Sequence, residues 1–268
     1  MLASLSLRRL AAGPSPDLLI CLAACANGLV VRVVEDVRAP APSLLLGLSP
    51  FELLAAALAA RLLTQGQGAE APRVGLAHGL AALAMLAPSA SGAWAVLFAF
   101  AGWRALRTRG PARAGFLIFA AFALAQAWGA IGFKMVSGPL LALDAALAAQ
   151  ALALLGMAPR VLGNVVEVAG GHSIVVLVTC ATMHRLPLAL VAALALAAPA
   201  SLRDCVRICA LAAAGYCALN LARLVLMGLS PQHYAFMHEG AGAGLYDAAQ
   251  TILVFLVAGR RPGAERAP

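Results

Sequence analysis

The chain has 268 residues, 63% of them hydrophobic and 11% charged, with a mean hydropathy of +0.91. So few polar residues cannot cover a water-facing surface, which excludes a soluble globular domain and indicates a polytopic membrane protein. The net charge of +8 would point to nucleic acid in a soluble protein. Here the arginines cluster between apolar runs, as membrane orientation requires, and this argues against nucleic-acid binding.

Arg8 and Arg9 precede an apolar run from Asp17 to Val34. This resembles the start of a signal peptide, but Arg32, Glu35, Asp36 and Arg38 follow in place of a small-residue cleavage site, so the run reads as an uncleaved first span. Further apolar runs cover Ser43–Leu63, Val74–Leu86, Gly92–Trp103 and Gly115–Phe133. Several are short for a hydrocarbon core of about 30 Å. Arg104, Arg107, Arg109 and Arg113 form the densest basic loop and are expected inside, which places the N-terminus inside and Lys134 outside.

A full crossing by Pro139–Met157 would put Arg203, Arg207, Arg260, Arg261 and Arg266 on the wrong face. This segment, with Asp144 and Gln150, is therefore expected to lie in the outer interface without crossing. Leu162–Val178 is rich in β-branched residues around Gly170-Gly171, the pattern of a short hairpin or extended loop. Three spans follow, at Cys180–Ala200, Cys205–Gly228 and Leu245–Ala258. The expected fold is all-α: about eight transmembrane helices, an interfacial helix and a short extended segment before Cys180.

The residues with chemical capacity fall in the second half. With Arg203 as the inner corner, Cys180 lies about 23 residues before it and Arg223 about 20 after it. At ~1.5 Å per residue both side chains reach roughly 30–35 Å, the outer surface, on adjacent antiparallel helices. His238 follows in the next outer loop. A cysteine in apolar surroundings is reactive only with a cation or base beside it. Arg223 is suited to holding a thiolate or oxyanion, and His238 to moving the proton.

Each has a plainer reading. Cys180 is also a small apolar core residue, Arg223 a snorkelling arginine and His238 a loop histidine. His184, four residues after Cys180 and on its face if the segment is helical, is a rival base and a candidate substrate contact. Asn220 would orient Arg223, touch substrate or bond across helices. Cys205, Cys209 and Cys217 read as small residues packing between helices rather than a metal or redox array.

Gly163-Asn164, an apolar strand into Cys180, Asn220 to Arg223, and His238 followed by Gly240, Gly242 and Gly244 resemble, in order and spacing, the exosortase/archaeosortase family of membrane transpeptidases. The likeness covers about Leu140–Gly259, and residues before it match only as a bundle of spans. It divides the chain into a scaffold at 1–134 and a catalytic region at 135–268. The family cysteine usually sits in A-C-S-G, whereas this chain has Thr179-Cys180-Ala181-Thr182.

The resemblance implies a multi-pass protein of a bacterial inner membrane, with its active site on the extracytoplasmic face. It would act on exported proteins that end in a short motif, a transmembrane helix and a basic tail. Cys180 would form a thioester with them, Arg223 and His238 would assist, and no metal or organic cofactor is implied. Two other readings fit the residues: a transporter or exopolysaccharide-assembly component with Arg223 and Asp144 along its path, and an inactive relative that escorts exported proteins. A metalloprotease is disfavoured, because His238-Glu239 lacks the second histidine of H-E-x-x-H.

Overall fold

The computed structural model describes residues 14–39, 45–66, 74–86, 89–168, 172–198, 201–238 and 240–259. Arg8, Arg9, Arg260, Arg261 and Arg266, which anchor the expected orientation at the two ends, lie outside the described residues, as does Gly170-Gly171. Ten α-helices are described: α1 (Pro16–Val37), α2 (Pro50–Gly66), α3 (Leu76–Ala84), α4 (Ala90–Arg107), α5 (Gly110–Ala127), α6 (Phe133–Leu154), α7 (Thr182–Ala197), α8 (Leu202–Leu229), α9 (Pro231–His238) and α10 (Ala241–Gly259). A π-helical turn at Trp128–Gly132 joins α5 to α6, and strands β1 (Arg160–Leu162), β2 (Val165–Val168) and β3 (His172–Val175) separate α6 from α7.

Among the described residues, four helical segments have the length and hydropathy to cross a bilayer: Pro16–Val37, the 45-residue run Gly110–Leu154, Leu202–Leu229 and Ala241–Gly259. The remaining expected spans yield shorter or less apolar helices, down to nine residues for α3 within the apolar run Val74–Leu86. A crossing needs ~20 helical residues, so these helices account for four of the eight crossings expected from hydropathy alone. The chain divides into two compact units, residues up to Leu124 and residues from Ala125 onward.

The first unit is built on α1 and α4. Ser15 caps α1 by accepting the Leu18 N–H at 3.3 Å, with Pro16 at the first turn where its missing N–H costs nothing. Gly28 lets α4 approach, since a Cβ there would lie 2.5 Å from the Trp94 ring. Asp17 is buried because it is paired twice, with His78 Nε2 at 2.9 Å and with Arg104. The basic cluster is thus less of a loop than its composition suggests. Arg104 and Arg107 end α4, only Thr108 and Arg109 link it to α5, and Arg104 folds back over Trp103 and Phe116.

The second unit is organised around α8, which packs on α6, α7, α9 and α10. Ser201 caps it by accepting the Asp204 N–H at 3.2 Å. The extended segment before Cys180 is a three-stranded antiparallel meander, one strand more than a hairpin, in the order β1-β2-β3. Arg160 pairs with Glu167, Val166 with Ile174, and Val168 with His172. Gly163 adopts φ +62 at the β1–β2 turn, a backbone state that glycine reaches without strain. Strand alternation puts Val166, Val168 and Ile174 on one face, in a core with Ala145, Ala148, Ala149, Leu152, Leu224, Met227 and Cys180.

The course of α6 is set by three contacts. The Phe133 ring meets His184 at 5.1 Å between centroids, Asp144 bonds Thr182, and Leu152 fills the space over Gly228, where a Cβ would lie 2.6 Å from Leu152 Cδ1. All three contacts are with the start of α7 or the end of α8. Helix α6 therefore lies at the Cys180 end of this unit and does not run back along α8 toward Ser201.

Candidate active site

Cys180 ends a 3₁₀ turn, Val178–Cys180, and α7 begins two residues later at Thr182. Cys180 and His184 are thus not one turn apart on a continuous α-helix, and the shared face expected for them does not form. His184 instead packs its ring on Phe133. The Cys180 backbone is held from both sides: its N–H donates to Leu177 O at 2.9 Å and its C=O accepts from Asn220 Nδ2 at 2.9 Å. The residue is 1% exposed, with the Thr179 hydroxyl 3.9 Å from its sulfur.

Asn220 is 2% exposed and fully engaged. Its second Nδ2 hydrogen goes to Thr182 Oγ1 at 2.8 Å, and its Oδ1 accepts from the Tyr246 hydroxyl at 2.8 Å. Gln250 donates in turn to the Tyr246 oxygen. On the other side, Asp144 accepts the Thr182 N–H at 2.9 Å and the Thr182 hydroxyl at 3.0 Å. This carboxylate takes an orphan N–H at the start of α7, where negative charge is favoured. One buried chain of polar groups therefore ties α6, α7, α8 and α10 around the Cys180 turn.

Arg223 lies three residues beyond Asn220 on α8 and is 8% exposed. Its Nε and Nη2 donate to the Met237 carbonyl at 3.3 and 3.1 Å, and its guanidinium stands 4.6 Å over the Tyr246 ring. A buried guanidinium needs such partners. Met237 directly precedes His238, so Arg223 and His238 are joined through one backbone carbonyl. His238 closes the helix α9 rather than sitting in an open loop. Ser230 starts α9 by accepting the His233 N–H at 3.2 Å, and Pro231 occupies the first turn, an S-P signal readable in the sequence. The His238 ring stacks on Tyr234 at 5.0 Å and 10°, and Tyr234 meets His172 of β3 edge-on at 6.0 Å.

The structure thus brings Cys180, Asn220 and Arg223 into one hydrogen-bonded locale, with His238 attached to it through Met237. Tyr246, Gln250 and Tyr234 were not singled out by sequence reasoning, Thr182 entered it only as a departure from A-C-S-G, and Asp144 only as a residue of an interfacial helix or a transport path. Asp144 did carry a signal, because an ionisable residue within an apolar run needs a partner. A family model described as transmembrane exosortase (Exosortase_EpsH) matches residues 7–257. The chain belongs to the transmembrane exosortase family.

No curated protein and no solved structure matches it. In this exosortase the family match takes in nearly the whole chain, extending well before the Leu140–Gly259 region that carried the motifs. The departure from A-C-S-G also has a local account. Thr182 stands where the family motif has glycine, and its hydroxyl is absorbed by Asp144 and Asn220.

Proposed function

We propose that this exosortase is a membrane cysteine transpeptidase that removes the C-terminal sorting signal of exported proteins and passes them to an anchor. The observation that carries the reading is the Asn220–Arg223 segment of α8, which holds the Cys180 carbonyl with one residue and the Met237 carbonyl beside His238 with the other. His238 takes the Cys180 proton, and the thiolate adds to a backbone carbonyl of the substrate. Arg223 offers N–H groups to the oxyanion, and Nη1 has no hydrogen bond among the described residues. The C–N bond breaks, the leaving amine takes the proton from His238, and a thioester remains on Cys180. An acceptor nucleophile then gives a proton to His238, attacks the thioester and releases the thiol.

The membrane frame of this proposal keeps eight crossings, with α6 in the outer interface of a bacterial inner membrane and the site on the extracytoplasmic side. The position of α6 at the Cys180 end of the second unit supports a non-crossing segment there. Residues 1–134 serve as scaffold and 135–268 as the catalytic region. The direct test is replacement of Cys180 or Arg223 by alanine in the native host. Exported proteins bearing C-terminal tails accumulate unshed, while the variant enzyme remains in the membrane. Undiminished tail loss in Cys180→Ala removes the nucleophile.

One observation favours a second reading, an inactive relative that escorts exported proteins: the Cys180 side chain is 1% exposed in an apolar cluster. Stable capture of tailed proteins by the wild-type chain, with no tail loss, would establish it.

A further inference from the structure

The strand that leads into Cys180 has one edge in use and one open. In an antiparallel ladder, residues alternate between those whose N–H and C=O both face the neighbouring strand and those whose groups both face away. The phase of β3 is set by the Val176 N–H, which donates to Asn164 O at 2.8 Å, and by Asn164 Nδ2, which donates to Val176 O at 3.0 Å. With Val166 opposite Ile174 and Val168 opposite His172, these residues turn their backbone groups toward β2. Ser173 and Val175 turn theirs the other way. Among the described residues, nothing hydrogen-bonds to their N–H or C=O groups. The side chains of Ser173, Val175 and Leu177 are all exposed.

An unpaired strand edge is a template for another extended chain. It is also costly in contact with lipid, since hydrocarbon offers backbone groups no partner, so this edge faces water or a bound segment. We propose that the β3 edge at Ser173 and Val175 is the docking site for the extended tail segment of the exported substrate, which adds as a fourth strand beside β3. The inference rests on the transpeptidase reading and names how that site takes its substrate. A scissile carbonyl is presented by an extended backbone, and recognition through main-chain bonds suits a substrate bound by backbone with side-chain selection at alternate positions. Continuity selects this edge over the other. Strand β3 runs through Leu177 into the 3₁₀ turn that ends at Cys180, whereas the outer edge of β1 is two strands away, roughly 10 Å from β3 at ~4.8 Å per strand.

The experiment is made with the full-length protein in its native host, following an exported protein whose tail stays unshed in the Cys180→Ala strain. Val175→Pro removes only an N–H on the open edge. Proline is tolerated on edge strands with the missing donor outward, so the β2–β3 ladder is retained. Loss of one docking bond, with the added ring against the incoming strand, predicts tail loss slowed by about tenfold or more in Val175→Pro and within about twofold of wild type in Val161→Ala, an exposed position on β1 away from the proposed edge. A photo-crosslinking residue at Ser173, placed in the Cys180→Ala chain, should capture the same tailed protein, and one at Val161 on β1 should not. The crosslink stands even if the proline variant fails to accumulate in the membrane. Wild-type tail loss in Val175→Pro, or capture at Val161 but not at Ser173, overturns the docking proposal while Cys180 keeps its role. Unchanged tail loss in Cys180→Ala overturns the transpeptidase reading and the docking proposal with it.

Discussion

Replacing Asn220 by alanine tests whether the buried polar chain holds the Cys180 turn. The substitution deletes three hydrogen bonds, to Cys180 O, Thr182 Oγ1 and from Tyr246. Inter-helix bonds of this kind contribute ~0.6 kcal/mol each inside membranes and ~1 kcal/mol in soluble proteins. Two partners fare worse than the third. Thr182 keeps Asp144 as acceptor, but the Cys180 carbonyl and the Tyr246 hydroxyl lose the only acceptor or donor they have in this network. The three bonds together come to about 2–3 kcal/mol, and the two atoms left without that partner put the expected loss at the upper end, about 3 kcal/mol. The assay is thermal denaturation in detergent, read by a fluorogenic maleimide in a chain whose only cysteine is Cys180. The midpoint should fall by roughly 5–15 °C for a chain of this size. A shift under about 2 °C, with Cys180 reactivity unchanged below the midpoint, would refute the claim that Asn220 fastens the turn.

Tyr246→Phe removes two bonds, to Asn220 and from Gln250, and keeps the ring beneath Arg223, so it should cost about 1–2 kcal/mol, less than Asn220→Ala, in the same assay. In the first unit, Gly28→Val drives a side chain into the Trp94 ring and should destabilise by about 1–3 kcal/mol, read as loss of membrane-resident protein or a lower denaturation midpoint. For sidedness, single cysteines at Ala158 and Ser173, both exposed, should react with a membrane-impermeant maleimide in intact cells; protection there with labelling only after lysis would reverse the topology.

Much of the second unit was legible because its signals are local. The β-branched run before Cys180 became strands, and Asn220 and Arg223, set in an apolar helix, found the partners that their burial demands. Less of the span count could be read. Hydropathy does not distinguish a nine-residue helix such as α3 from a crossing, because alanine and glycine keep a short run apolar without extending it. The remaining site partners were hidden for a physical reason. Arg223 is held by the backbone carbonyl of Met237 and the face of Tyr246, and neither a carbonyl nor a ring face has a sequence signature that marks it as a partner. The displacement of His184 from the Cys180 face follows from the break between the 3₁₀ turn and α7, which the apolar pattern from Cys180 onward conceals.

The central claim is a thioester on Cys180, and its most direct measurement is the search for a hydroxylamine-labile adduct between this chain and a tailed exported protein in native membranes. The account predicts an adduct on the wild-type chain, none on Cys180→Ala, and the unshed tail reappearing in that strain. Continued tail loss in Cys180→Ala, with no labile adduct on the wild-type chain, would contradict it.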